Sequence, residues 1–183
     1  LSTLTLSAAV AAAISSGVVC YQLQQTAVKA EGDINWLQAL QFKSITAAKP
    51  DLMLSYSGYN GISKPLALFL PPNPQTAAPV LLYIHGGGFM TGSLLETSSD
   101  LRWFAEQGYL VVSAGYSLFS NANPSWHKAP QDVACALSWV NDNVTRYGGD
   151  INKLAILGDS AGGNLALNLA YGGAIKAEQA YCG

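Results

Sequence analysis

The sequence predicts an α/β protein built on a mainly parallel sheet with helices on both faces. Three observations predict it. Half of the 183 residues are hydrophobic and only 11% are charged, a balance that supports a substantial core and does not describe a disordered chain. The runs Val80 to Ile84, Tyr109 to Ala114 and Leu154 to Leu157 are continuously apolar but for Ser113, as expected of strands buried on both faces. Stretches of helical character lie between them, which is the pattern of βαβ units.

At the N-terminus, residues 1–28 contain no charged side chain, and Lys29 is the first. Rich in Ala, Val and Leu but diluted by Ser and Thr, this segment is expected to be a secretory signal peptide or an N-terminal membrane anchor. The alternative is an amphipathic or buried helix of a soluble protein. A signal peptide would make the protein secreted or periplasmic; otherwise it would be membrane-associated or cytoplasmic. Residues 29–183 are expected to form part of one α/β domain, with residues 29–50 as a helical or irregular lead-in.

Leu52 to Ser57 and Pro65 to Leu70 read as short strands separated by the turn residues Ser57-Gly58-Tyr59-Asn60-Gly61. Such short polar connections suggest an antiparallel edge. Pro71-Pro72-Asn73-Pro74 cannot continue a hydrogen-bonded ladder and must be a loop. Helices are expected over Ser98 to Gln107, stopped by Gly108, and over Gln131 to Tyr147, stopped by Gly148-Gly149. Another opens after Leu157 and runs through Leu169.

A formal net charge of -2, with nine scattered Lys and Arg, leaves no electrostatic footprint for nucleic acid. Cys20, Cys135 and Cys182 have no metal-like spacing. They read as small buried hydrophobes, although one bridge remains open to them in an oxidising compartment.

Two motifs carry chemistry. Gly158-Asp159-Ser160-Ala161-Gly162 directly follows an apolar strand and opens a helix, the required context of a G-x-S-x-G nucleophile elbow. The tight turn presents the Ser160 hydroxyl near the positive end of a helix. His85-Gly86-Gly87-Gly88-Phe89 follows the strand Val80 to Ile84, where consecutive glycines let backbone N–H groups point into one small volume. Such donors stabilise the negative charge that acyl transfer builds on a carbonyl oxygen. The loop lacks the Lys and Ser/Thr of a phosphate-binding P-loop and the spacing of a dinucleotide fingerprint.

With Tyr147-Gly148-Gly149-Asp150 between them, these motifs resemble the carboxylesterases and lipases related to hormone-sensitive lipase, over about residues 50 to 172. The resemblance implies an α/β-hydrolase fold, a small-molecule ester substrate, and no metal or organic cofactor. It implies that Ser160 is the nucleophile and that the N–H groups of Gly87, Gly88 and Ala161 form the oxyanion hole. His85, Gly86 and Asp159 would support that machinery. Ser117, in Gly115-Tyr116-Ser117-Leu118, stands where the family usually has Arg.

In that family the triad acid and then the His follow the nucleophile. The 23 residues after Ser160 contain Glu178 but no His, so the triad Asp and His are expected beyond Gly183, and the sheet is expected to stop short after the elbow. The 183-residue chain alone is then expected to have little turnover. A set of His127, Asp132 and Ser160 would have the chymotrypsin-like chain order; the plainer reading makes His127 a surface residue and Asp132 a charge near a helix N-terminus. The alternatives to an esterase are a non-catalytic ligand-binding protein on the same fold and an inactive truncated product.

Overall fold

A computed structural model describes residues 3–29, 47–73, 77–176 and 182. The chain divides into two units, Leu1–Ile45 and Thr46–Gly183. The described part of the first is one helix, α1 (Thr3–Lys29). No helix among the described residues is long and apolar enough to cross a membrane; in α1 the Ser, Thr and Gln residues dilute the apolar run. Of the expected lead-in, residues 30–46 lie outside the described residues.

The second unit holds a five-stranded sheet in the order β1-β2-β4-β3-β5. Its strands are β1 (Leu52–Ser57), β2 (Ser63–Phe69), β3 (Ala78–Ile84), β4 (Leu110–Ala114) and β5 (Gly149–Gly158). β2 runs antiparallel to both β1 and β4, which is the antiparallel edge expected from the short connection. β3 lies between β4 and β5 and is parallel to both. The connecting helices are α2 (Ser98–Glu106), α3 (Lys128–Asn143), which runs on into a 3-10 turn over Val144–Tyr147, and α4 (Ala161–Lys176).

The strand pleat sends alternate side chains to opposite faces. Val80, Leu82 and Ile84 of β3 join Val133, Ala136 and Val140 of α3 and Leu165 of α4 in one core. Leu81 and Tyr83 face the other way, into a second core with Phe69, Val111 and Leu101 of α2. Helices thus cover both faces, which is why β3 and β4 are apolar at nearly every position. β5 departs from that expectation. Ala155 and Leu157 are exposed, Leu157 at 39%, because among the described residues β5 is an edge strand and pairs only with β3.

One further expectation is corrected. Cys135 is buried in α3, but it is bonded to Cys182, with a Cα–Cα distance of 5.5 Å. Cys20 is the free cysteine. Asp132, expected near a helix start, is the fifth residue of α3 and is fully buried. Its Oδ1 accepts the Tyr59 N–H at 2.8 Å and its Oδ2 the Ser117 N–H at 2.8 Å, while Lys64 Nζ lies 3.8 Å from Oδ2. One carboxylate therefore ties α3 to the β1–β2 turn, to β2 and to the loop after β4. Ser117 joins this cluster through its backbone, and the cation comes from Lys64.

Asp132→Ala leaves two N–H groups without their acceptor, each costing roughly 1–3 kcal/mol. We expect the variant to lose about 3 kcal/mol of stability in urea unfolding. An unchanged midpoint would contradict the bracing role.

Candidate active site

The turn from β5 to α4 carries the G-x-S-x-G pentapeptide. Ser160 has φ 47°, in the left-handed region, and is exposed to solvent. Holding a non-glycine residue there costs on the order of 1–3 kcal/mol, so the surroundings must enforce it. They do so by close packing. A Cβ on Gly162 would overlap the Ile84 carbonyl oxygen, and one on Gly158 would overlap the Gly162 carbonyl. The start of α4 is thereby pressed onto the end of β3, where the glycine loop begins. The first turn of α4 closes with Gly163 N–H donating to the Asp159 carbonyl and Asn164 N–H to the Ser160 carbonyl, both at 3.1 Å.

The glycine loop is held from behind. His85 is buried, its ring stacks on Tyr116 with centroids 4.4 Å apart, and its Nδ1–H donates to the Gly86 carbonyl at 2.8 Å. The Tyr116 hydroxyl donates to the His85 carbonyl at 2.9 Å. Burial foremost, with the nearby Asp159 charge, pushes the Tyr116 phenol up to about 12, so it stays a donor at neutral pH. The Gly87 carbonyl accepts from Met90 N–H at 3.1 Å and Thr91 N–H at 2.9 Å.

A trans peptide points its N–H opposite to its C=O, and there are no cis peptides among the described residues. With the carbonyls of Gly86 and Gly87 held by these donors, the N–H groups of Gly87 and Gly88 each point away from the anchored carbonyl of their own peptide. Gly87 and Gly88 reach this arrangement at φ 105° and 61°, which glycine adopts without penalty. Ala161, first residue of α4, has an N–H with no partner inside its helix. None of these three N–H groups donates to a carbonyl among the described residues.

The Asp159 side chain reaches from the serine turn to the glycine loop at Gly86. Its Oδ1 accepts the Tyr83 hydroxyl at 2.7 Å. His127 and Asp132 are not joined by a hydrogen bond; His127 is half-buried, its Nδ1 has no partner, and both Asp132 oxygens are occupied by backbone donors.

Beside the glycine loop lies an open, mostly apolar cleft of about 370 Å³. Gly88 and Met90 form one wall, Phe119 and Trp126 of the loop after β4 another, and Leu165 and Asn168 of α4 the floor. Trp126 is 81% exposed and Met90 61%. Sequence reasoning did not find the roles of Tyr83, Tyr116 or these cleft residues. The available signal was a hydroxyl on an otherwise apolar strand, two positions before the glycine loop.

Comparison with known proteins points to esterases. Residues 66–181 match the family model described as BD-FAE. An ethyl acetate hydrolase of Pseudomonas putida is 37% identical over 132 residues, covering 68% of this chain and 40% of that protein. An arylacetamide deacetylase of Bos taurus is 40% identical over 114 residues, covering 58% of this chain and 28% of that one. A bacterial heroin esterase superposes with a TM-score of 0.62 at 26% identity, over 76% of this chain and 45% of its own. The resemblance to esterases and the α/β-hydrolase fold both hold. The chain spans about two fifths of the length of the ethyl acetate hydrolase it matches.

Proposed function

We propose that this chain, which belongs to the BD-FAE family, carries the nucleophile and oxyanion half of a serine-dependent carboxylic-ester hydrolase. The observation that carries the reading is Ser160 held at φ 47° at the start of α4, beside a loop whose free N–H groups face away from their anchored carbonyls. Ser160 Oγ attacks the ester carbonyl carbon, and the carbonyl oxygen takes the negative charge against the N–H groups of Gly87, Gly88 and Ala161. The C–O bond to the alcohol breaks, and the alcohol leaves with the proton taken from Ser160. Water then adds to the acyl-serine and releases the acid.

Neither His85, whose Nδ1–H is committed to the Gly86 carbonyl, nor His127 is the base in this scheme. The triad Asp and His come from sequence that follows Gly183 in the intact protein. The substrate is an ester with a small or medium apolar group, the kind of group a mostly apolar cleft of about 370 Å³ accepts. The disulfide between Cys135 and Cys182 supports an oxidising compartment, secreted or periplasmic, for a protein whose residues 1–28 act as a signal peptide.

The test is hydrolysis of 4-nitrophenyl acetate, butyrate and octanoate by the protein expressed from its full reading frame. Turnover is expected, with the 183-residue chain alone nearly inactive. Saturable binding of the esters without hydrolysis would favour the ligand-binding alternative. Trp126→Ala removes the exposed ring at the cleft rim and is expected to lower kcat/KM for the preferred ester about tenfold while sparing the acetate. An equal loss on all three esters would remove Trp126 from the binding cleft.

A further inference from the structure

Resting on the esterase reading, we propose that Tyr83 is a positioning residue for the reaction: its hydroxyl holds Asp159, and with it the nucleophile turn, against the glycine loop. Tyr83 lies on β3 with its side chain on the α2 face, and it is only 4% exposed. Two residues later the same strand becomes the glycine loop. The hydroxyl donates to Asp159 Oδ1 at 2.7 Å, across 76 positions of sequence. The other carboxylate oxygen, Oδ2, lies so close to Gly86 that a Cβ there would overlap it.

Although Asp159 is solvent-exposed, one carboxylate oxygen is bonded to the β3 tyrosine and the other lies against glycine-loop backbone. Asp159 is the residue immediately before Ser160, so whatever fixes its side chain fixes the strained turn. Attack on a carbonyl held by the loop N–H groups requires Ser160 Oγ to keep its place relative to Gly87 and Gly88. A misplacement of about 1 Å at a reacting centre can cost on the order of 100-fold in rate. Burial first, then the hydrogen bond and charge of Asp159, push the Tyr83 phenol up to about 12, so the donor is in place throughout the working pH range.

An ordinary packing role and a positioning role differ in what they predict. The experiment follows Ser160 phosphonylation by a fluorophosphonate in the protein from its full reading frame, separating the maximal rate kinact from the binding constant KI. Tyr83→Phe removes one oxygen atom and is expected to lower kinact about 30-fold with KI nearly unchanged. Asp159→Asn keeps an acceptor for the phenol and should retain kinact within about threefold, whereas Asp159→Ala should fall as far as Tyr83→Phe. The double variant Tyr83→Phe with Asp159→Ala should be no slower than either single one, because both remove the same contact.

Wild-type kinact in Tyr83→Phe, or additive losses in the double variant, would overturn the proposal. Should Tyr83→Phe fail to fold, equal kinact in Asp159→Asn and Asp159→Ala would overturn it alone. A wild-type protein that takes no label on Ser160 would instead overturn the esterase reading beneath it.

Discussion

Ser160→Ala in the intact protein is expected to lower kcat/KM for its preferred ester by about 10⁴-fold or more, with the fold retained. The Oγ is the one atom on the turn able to form a covalent acyl intermediate, and losing it leaves only substrate binding and the oxyanion donors. Stability should hardly change. Ser160 is exposed, so its hydroxyl fills no core space, and alanine meets the same strain at φ 47° as serine does. Kinetics with the best of the three nitrophenyl esters, alongside a thermal melt, check both halves of this expectation. Retention of more than about a tenth of wild-type activity would place the nucleophile elsewhere.

The second large effect concerns the disulfide. Cys135 and Cys182 are separated by 47 residues, and cross-linking a loop of that size removes denatured-state entropy worth about 4 kcal/mol. The loop it closes contains the whole of β5, the nucleophile turn and α4. Cys182 also forms an isolated antiparallel bridge with Tyr59, whose N–H is held by Asp132. We therefore expect the double variant Cys135→Ala with Cys182→Ala to lose about 4 kcal/mol in urea unfolding. Adding reductant should destabilise the wild type equally and leave the variant unaffected. Identical unfolding midpoints for wild type and variant would show that the bridge constrains nothing.

What could be read from the sequence was local. β1 follows its apolar run to the residue, Leu52–Ser57, because a short strand between turn residues has little freedom in its limits. The tight turn from β5 to α4 was legible because glycine at 158 and 162 leaves a visible mark of close packing. The helix expected from Gln131 starts three residues earlier, with Pro130 inside its first turn. Proline is tolerated in a first helical turn, and the helix begins at Lys128.

The remainder depends on distant pairs. Cys135 with Cys182, Tyr83 with Asp159, and Asp132 with Tyr59 are separated by 47, 76 and 73 residues. No periodicity records such meetings. Likewise, the apolar run Leu154 to Leu157 shows what a strand is suited to pack against, not which neighbours it has. Its half-exposed edge position follows from the strand order alone.

The most direct test of the account is active-site labelling of the intact protein with a fluorophosphonate, followed by mass mapping of the modified peptide. The account predicts a single adduct on Ser160, blocked by prior incubation with a good ester substrate and by heat denaturation. No adduct, or one that persists on another residue when Ser160 is replaced by alanine, would contradict it.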